Sequence, residues 1–317
     1  MRSEQGNVEL MAVPDFQSLM LPCLKSLSDG QPIPVAKVRE RVAVTEQLSA
    51  EDLRQLLPSG RQPVFSNRVA WALIYMERAG LVARVRRGVY QLSDDGRHLL
   101  AQDPSRVDIR TLREYPAYVQ WRKTQKKTTP SGNDSHEQSN GATPEETLDE
   151  AAVQLRHALE AEVLDRVRAA QPEFLERVIV DLLVAMGYGG GDGAMGHVTG
   201  GSGDGGIDGK IREDALGLDE LCLQAKKYGA DKTVGASDLR NFAGAIAAAG
   251  TTKGVFVTTS DFTSAAKEFV KMSPTRIVLI NGADLAQLMV EHGVGVRTKR
   301  TLEVKRMDED YFLADDE

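Results

Sequence analysis

The sequence has few cysteines and no long apolar segment. Its two cysteines among 317 residues, Cys23 and Cys222, lie in apolar surroundings, and neither belongs to a C-x-x-C motif. Isolated thiols of this kind are typical of a reducing compartment and argue against structural zinc. No apolar run approaches the ~18 residues that a membrane span needs, and the start, MRSEQGNVEL, lacks the apolar core of a secretory signal. The sequence therefore predicts a cytoplasmic protein that does not associate with membranes.

Charged residues are distributed unequally along the chain, whose net charge is −7. Residues 1–130 carry 20 Lys and Arg against 14 Asp and Glu, a net charge of +6, and the remainder carries 19 against 32, a net charge of −13. A basic first half is suited to attracting phosphates, and an acidic second half could supply carboxylates for divalent cations. A solubilising acidic surface would explain the second half equally well.

The first part of the chain predicts helices followed by a basic hairpin. The clearest helix, FSNRVAWALIYMERAG, has apolar residues on one face and ends at Gly80. The next segment, LVARVRRGVYQLSDDG, alternates as two short strands would, with arginines near the turn. This is the layout of a winged helix-turn-helix, in which the helix from Ser66 would lie in the major groove and the hairpin would contact the DNA backbone.

The residues expected to bind DNA lie on that helix and on the hairpin. They are Asn67, Arg68, Arg84, Arg86 and Arg87. A small helical domain whose hairpin binds another protein is the alternative. DNA binding is the preferred interpretation because the three hairpin arginines have no evident acidic partner in the sequence.

A polar segment divides the chain. Residues 122–142 contain no apolar residue except Ala142, and they are rich in Ser, Thr, Gly, Asn and Lys, as in flexible linkers. The following Thr-Pro-Glu-Glu is typical of a helix start. We therefore predict a winged-helix DNA-binding domain over residues 1–120, a linker over 121–143, and a second domain over 144–317 that begins with a helical lead-in over 144–170.

The second domain alternates helices and strands, which predicts a short mixed sheet with helices on both faces. Before its first strand lies GGSGDGGIDG, from Gly200 to Gly209. A formal G-x-G-x-x-G match occurs there, but a helix precedes it and a strand follows, the reverse of a dinucleotide-binding loop. These glycines predict a backbone that must pass close to a ligand.

Three polar residues on adjacent predicted strands form the candidate active site. Asp208 begins one strand, and Gln224 and Lys226 lie two residues apart on the next, so the latter two share a face. A lysine among apolar neighbours is costly to bury without a partner, and Asp208 would be that partner. An aspartate serving only a turn is the alternative for Asp208.

Together with these segments, Gln224-Ala225-Lys226 and KGVFVTTS (253–260) closely resemble the Mrr family of restriction endonucleases, within the PD-(D/E)xK nuclease superfamily. The similarity extends from about Pro172 to the end, and the segment from Asn67 resembles that family's N-terminal domain. Ile207 replaces the proline of the superfamily pattern, and Gln224 replaces its acidic residue, although glutamine is usual in the Mrr branch.

The resemblance implies an α/β restriction-endonuclease-like catalytic domain, with a mixed central sheet flanked by helices, preceded by a mainly α winged-helix domain. It implies an Mg²⁺-dependent endodeoxyribonuclease whose catalytic residues are Asp208, Gln224, Lys226 and Glu176. Asp208, Gln224 and Glu176 would bind the metal, because Mg²⁺ prefers oxygen ligands, and Lys226 would position water and offset charge on the phosphate.

The implied partner is methylated double-stranded DNA, which such an enzyme would restrict. One active site cuts one strand, so a homodimer or higher oligomer is expected during cutting. Two alternatives stay open: a DNA repair or junction-processing nuclease, and a non-catalytic DNA-binding protein with a degenerate nuclease fold.

Overall fold

The computed structural model describes residues 13–128, 141–189, 196–197, 207–212, 219–308 and 311. The chain divides into two compact units, residues 1–153 with 305–317, and residues 154–304. No helix in the described ranges has the length and hydropathy that crossing a membrane requires.

The described part of the N-terminal unit combines helices with a three-stranded sheet. Its helices are α1 (Met20–Ser26), α2 (Val35–Thr45), α3 (Val64–Ala79), α4 (Asp94–Ala101), α5 (Ile109–Leu112), α6 (Pro116–Thr128) and the first part of α7 (Pro144–Ala169). Its strands are β1 (Ile33–Pro34), β2 (Val82–Arg86) and β3 (Val89–Leu92), which pair antiparallel in the order β1-β3-β2. The predicted helix from Ser66 and the hairpin after it are therefore both present.

Helix α3 lies at the centre of this unit. Val69, Leu73 and Met76 recur at helical spacing and are fully buried in one hydrophobic core. Gly80 ends the helix with φ of 82°, a left-handed conformation that glycine adopts without a steric penalty. The apolar spacing of the sequence thus places α3 against the rest of the unit.

Local hydrogen bonds accompany two short turns in this unit. The Asp15 carboxylate accepts from the backbone N–H of Gln17 and Ser18, so a turn precedes α1, which begins only at Met20. Ser49 and Asp52 exchange capping hydrogen bonds of 2.7 and 3.1 Å, yet the segment forms a single 3-10 turn.

The predicted linker is partly helical. Helix α6 continues to Thr128, well inside the span 121–143. Residues 129–140 lie outside the described residues. Composition alone therefore overestimated the linker at its N-terminal end, because polar and basic residues such as Gln and Lys are also good helix formers.

The described strands of the second unit form a five-stranded mixed sheet. They are β4 (Gly196–His197), β5 (Gly209–Arg212), β6 (Glu220–Lys226), β7 (Lys253–Thr258) and β8 (Arg276–Ile280), in that order across the sheet. Strands β4, β5 and β6 pair antiparallel, whereas β6, β7 and β8 pair parallel. The mixed sheet confirms the expected architecture.

Helices cover both faces of this sheet. They are the second part of α7, α8 (Pro172–Ala185), α9 (Ala236–Ala248), α10 (Ser264–Met272) and α11 (Gly282–Glu291). Leu221 and Leu223 of β6 pack with α7, α8 and α11, whereas Cys222 packs with α9 and α10. Alternate residues of β6 therefore point to opposite faces, which fixes the direction of every side chain along this strand.

Candidate functional site

The β5–β6 pairing ends beside Asp208. Gly209 and Leu223 form the last pair of the antiparallel ladder; Asp208 directly precedes Gly209, and Gln224 directly follows Leu223. The Asp208 N–H donates to the Leu223 carbonyl at 2.8 Å, and Asp208 Oδ2 accepts from the Ala225 N–H at 2.6 Å. The carboxylate thereby occupies a position that a backbone carbonyl would take in a longer strand. It is held at the end of the ladder.

A small pocket brings Glu176 of α8 together with Asp208. The other lining residues are Ile179, Val180, Leu223 and Ala225. Burial raises the pKa of the Asp208 carboxyl, although the Ala225 hydrogen bond and the Lys226 charge act in the opposite direction. Burial also raises the pKa of Glu176, and the negative charge of Asp208 adds to the effect. Two carboxylates that are poorly solvated and close to each other would be stabilised by a cation.

Gln224 has a buried oxygen without a partner. Its side chain is 8% exposed, and no hydrogen bond from the described residues reaches Oε1. A buried carbonyl oxygen left in this state costs free energy. By alternation Gln224 shares its face of β6 with Cys222 and Lys226, whereas Leu223 and Ala225 line the Glu176 pocket on the other face. Asp208 lines the same pocket as Leu223 and Ala225.

Lys226 is the last residue of β6. It is half-buried and pairs with Thr258 in the parallel register between β6 and β7. Its positive charge acts to lower the pKa of the Asp208 carboxyl. Asp208, Gln224 and Lys226 thus all lie at or beyond the same end of the β5–β6 ladder.

The residues present fit a hard divalent cation. Asp208 and Glu176, which line one pocket, offer carboxylate oxygens, the ligand type that Mg²⁺ prefers. Gln224 offers an unpartnered amide oxygen, also a ligand for Mg²⁺, but on the other face of β6. The described ranges contain no cluster of three or more His, Cys, Asp or Glu side chains that could hold a metal. A cation bound here would therefore keep several waters, as Mg²⁺ usually does.

Asn67 and Arg68, two of the residues expected to contact DNA, are buried. Arg68 is 7% exposed; its Nε pairs with Glu146 Oε1 at 2.7 Å and its Nη1 donates to the Val13 carbonyl at 2.7 Å. Asn67 is fully buried and accepts from Thr143 Oγ1 at 2.6 Å. Helix periodicity placed both residues on α3 but gave no sign of the acidic segment that covers them. We therefore correct this expectation and assign both a structural role.

The hairpin arginines differ from one another. Arg84 pairs with Glu77 at 3.2 Å and lies over the Tyr90 ring, so the expectation that it has no acidic partner is wrong. Arg86 and Arg87 are exposed beside the turn between β2 and β3. The hairpin thus presents two of its three arginines to solvent.

Two residues near the site were not singled out by sequence reasoning. Thr258 ends β7 and Thr259 follows it; their hydroxyls bond to the backbone of Lys226, at the end of β6, and of Tyr228, just beyond it. The signal was available in the sequence, because polar hydroxyls at the end of a buried apolar strand need partners.

Comparison with known proteins matches most of the chain. The Mrr N-terminal domain family matches residues 16–102, and a restriction endonuclease family, the Mrr catalytic domain, matches residues 167–289. The type IV methyl-directed restriction enzyme EcoKMrr of Escherichia coli (strain K12) is 35% identical over 312 residues, which cover 95% of this chain and 100% of that protein.

Solved structures show weaker likenesses. The DNA modification-dependent restriction endonuclease AspBHI is 20% identical with a TM-score of 0.36, over 66% of this chain and 53% of that one. The MspJI restriction endonuclease in complex with a 27-mer oligonucleotide is 22% identical with a TM-score of 0.27, over 58% of this chain and 38% of that one. The matched regions span about half of those proteins or less.

Proposed function

The chain belongs to the Mrr family of restriction endonucleases and hydrolyses DNA, and from that premise we propose that the Asp208 site cuts methylated double-stranded DNA with Mg²⁺. The observation that carries the site assignment is the buried Gln224 Oε1, which has no partner in the described residues. Gln224 directly follows Leu223, whose carbonyl accepts from the Asp208 N–H. The methyl preference is proposed from the relative, whose name describes it as methyl-directed.

Each side chain of the site has a distinct proposed task. Asp208 and Glu176 would hold Mg²⁺ from the pocket that they line, and Gln224 would reach the ion from the other face of β6. Mg²⁺, when bound, would supply a Lewis acid that lowers the pKa of water and clamps a phosphate oxygen. The Ala225 N–H fixes the Asp208 carboxylate and so fixes where it points. The Lys226 ammonium orients the attacking water and offsets the negative charge that develops on the phosphate.

We place DNA binding in residues 1–120 and catalysis in residues 144–317. The first 130 residues carry a net charge of +6, and Arg86 and Arg87 are exposed at the tip of the hairpin. Exposed basic residues of this kind contact phosphates without reading sequence. Because Asn67 and Arg68 are buried, the first turn of α3 is not part of the proposed contact surface.

Cutting both strands requires two active sites. Each chain holds one Asp208 site, so we propose that a dimer or larger oligomer forms during double-strand cleavage. Chemical cross-linking on methylated DNA would detect it. Double-strand cutting by a protein that stays monomeric on DNA would contradict this part of the proposal.

Plasmid cleavage tests the substrate. The same plasmid is prepared in methylated and unmethylated form, and both are incubated with the full-length protein and Mg²⁺. We expect cutting of the methylated plasmid, no cutting with a chelator, and little cutting of the unmethylated form. Equal cutting of both plasmids, with branched DNA cut faster than either, would instead indicate a nuclease that reads DNA structure.

A further inference from the structure

Buried hydroxyl groups follow strand β7. Thr258 and Thr259 are completely buried, and Ser260 is nearly so, although they come directly after an apolar run. A buried hydroxyl costs free energy unless it forms hydrogen bonds. The chemistry proposed for the Asp208 site does not use these side chains, so their partners must explain their burial.

Thr258 forms a hydrogen bond to the backbone of Lys226. The two residues pair between the parallel strands β6 and β7, so their side chains share a face. Thr258 Oγ1 donates to the Lys226 carbonyl at 2.8 Å. The same carbonyl accepts from the Thr259 backbone N–H at 3.3 Å. Two donors, the Thr258 hydroxyl at the end of β7 and the N–H of the next residue, Thr259, therefore hold the carbonyl of the last residue of β6.

Thr259 extends this connection past the end of β6. Its Oγ1 accepts from the Tyr228 N–H at 2.9 Å and donates to the Tyr228 carbonyl at 2.8 Å. The Thr259 hydroxyl thus bonds to both the N–H and the carbonyl of Tyr228, which lies beyond the last β6–β7 pair, Lys226 with Thr258. We call the Thr258 and Thr259 hydroxyls, with these bonds, the threonine clamp.

The threonine clamp is itself fixed from behind. Arg168 of α7 donates from Nε and Nη2 to the Thr259 carbonyl at 3.0 and 2.8 Å. The Gly282 N–H donates to the Ser260 carbonyl at 2.8 Å, and a Cβ at Gly282 would lie 2.5 Å from the Thr259 oxygen. Glycine therefore lets α11 begin against this segment, and the clamp has little freedom to move.

We propose that Thr258 and Thr259 are positioning residues for DNA cleavage, because they fix the end of β6 from which Lys226 reaches the Asp208 site. This proposal rests on the proposed role of Lys226. The lysine ammonium lies at the end of a four-carbon stem, so the position of the Lys226 backbone limits the points that the ammonium can reach. A misplacement of about 1 Å can lower a rate on the order of a hundredfold.

Thr259→Val keeps the shape of the side chain and removes the hydroxyl. In the full-length protein, with methylated plasmid and Mg²⁺, we expect kcat to fall by roughly ten- to a hundredfold. DNA affinity without metal and KM should stay within about twofold of wild type. Thr259→Ser returns the hydroxyl and should restore most of the lost kcat. A serine variant as defective as the valine variant would overturn the proposal.

Thr251→Val is the matched control. Thr251 Oγ1 donates to the Glu220 carbonyl at 2.6 Å, at the opposite end of the same strand. This variant loses the same kind of bond to β6, far along the strand from Lys226, and should leave kcat unchanged. Equal losses of kcat in the Thr251 and Thr259 valine variants would indicate a general weakening of the sheet and would also overturn the proposal.

Lys226→Ala separates the proposal from its premise. If the clamp acts through Lys226, adding Thr259→Val to Lys226→Ala should lower the residual rate no further. Additive losses would contradict the positioning role while leaving Lys226 itself catalytic. Wild-type cutting by Lys226→Ala would instead remove the premise, and the proposed function of this lysine would fail with it.

A readout independent of cutting is the reactivity of the Lys226 amine. In metal-free protein, acetylation followed by mass spectrometry should be several-fold faster at Lys226 in Thr259→Val than in wild type, because the strand end is released. Thr258→Val is the milder variant, since the Lys226 carbonyl keeps its backbone donor, and it serves if Thr259→Val fails to fold. Unchanged labelling and unchanged cutting in a folded variant would overturn the proposal.

Discussion

The first turn of α3 and the end of β6 both bury polar side chains, but the structure satisfies them differently. In α3, Arg68 has Glu146 and a backbone carbonyl as partners, and Asn67 has Thr143. At the end of β6, Gln224 Oε1 has no partner in the described residues. The Asp208 and Glu176 carboxyls, which line the pocket on the other face of β6, both have a pKa raised by burial.

This difference separates a structural network from a binding site. A buried polar group that has its partners stabilises the fold and resists change. A buried group without one lowers stability, and proteins retain such groups mainly where function requires them. By this criterion the α3 cluster (Asn67, Arg68, Thr143 and Glu146) stabilises the N-terminal unit, and we propose that the β6 cluster (Asp208, Gln224 and Glu176) binds a ligand. Substitutions in the α3 cluster should therefore lower folding stability. Substitutions in the β6 cluster should lower cutting while folding stability stays the same or rises.

The largest expected effect is on Asp208. Asp208→Asn keeps an oxygen that can accept from the Ala225 N–H but loses the negative charge. Because metal binding contributes several kcal/mol to the transition state, cutting of methylated plasmid should fall by about a thousandfold or more. Binding of uncut methylated DNA should persist, as measured by fluorescence anisotropy without metal. Cutting at the wild-type rate would remove Asp208 from the active site.

Asp208→Asn should raise the stability of the metal-free protein, although it lowers the rate of cutting. Since the folded state raises the pKa of Asp208, the folded protein binds that proton more tightly than the unfolded chain does. The stability from this group is therefore present at acid pH and is lost as pH rises through the raised pKa. Neutral asparagine avoids this loss, so metal-free Asp208→Asn should have a higher Tm than wild type at neutral pH. The difference should disappear below the ordinary carboxyl range, and a lower Tm at neutral pH would count against the poor solvation of this group.

Breaking the α3 cluster should destabilise the protein strongly. Glu146→Ala leaves Arg68 buried without its carboxylate partner and removes a hydrogen bond to the Thr143 N–H. Loss of one partner of a buried pair costs about 3–5 kcal/mol, measurable by denaturant unfolding. Glu40→Ala is the matched control, because Glu40 pairs with Lys37 on the exposed surface at 2.8 Å and should cost less than about 1 kcal/mol. Equal losses in the two variants would contradict the distinction between the clusters.

The sequence predicted the second unit better than the first, for physical reasons. The family and the mixed sheet were both predicted and are confirmed. In a strand, the side-chain period of two fixes which residues share a face, so Gln224 and Lys226 could be grouped without coordinates. Spacing also predicted that Asp208 would join them. Spacing could not predict that Asp208 bonds to the Ala225 N–H, or that Glu176 and Gln224 lie on opposite sides of the ladder.

The residues of α3 were harder to interpret. A polar residue on a helix can face solvent, DNA or another polar segment, and periodicity does not distinguish these cases. Arg68 was expected to contact DNA, but Glu146, far along the chain, covers it. Thr143 and Glu146 carried a signal that was used only to start a helix. Their second role, as partners for Asn67 and Arg68, depends on tertiary contacts.

A smaller effect is expected at Gln224. Gln224→Met is close in volume and removes the unpartnered oxygen, so metal-free stability should stay the same or rise by up to about 1 kcal/mol. Cutting should nevertheless fall on the order of ten- to a hundredfold, as for other groups that support a metal site. Gln224→Glu is the companion, because it adds a charge and should reach half-maximal cutting at lower Mg²⁺. A strong loss of stability in Gln224→Met would mean that the oxygen already has a partner.

The smallest expected effect on cutting and stability is at the hairpin arginines, which are exposed, unlike the buried polar residues compared above. Arg86 and Arg87 are exposed, so replacing both with alanine should change folding stability little. If each contacts one phosphate, the slope of log affinity against log salt should become shallower by about 2, with a loss of affinity on the order of tenfold at moderate salt. The measurement is a salt titration by anisotropy in the Asp208→Asn background, which prevents cutting.

Arg84→Ala is the matched control on the same hairpin, because Arg84 is already paired with Glu77 at 3.2 Å and should change the slope by much less. If the control flattens the slope as much as the double variant does, the greater exposure of Arg86 and Arg87 does not decide which arginines reach DNA. If neither variant changes the slope, the hairpin does not contact phosphates, and DNA binding must be sought elsewhere on the protein.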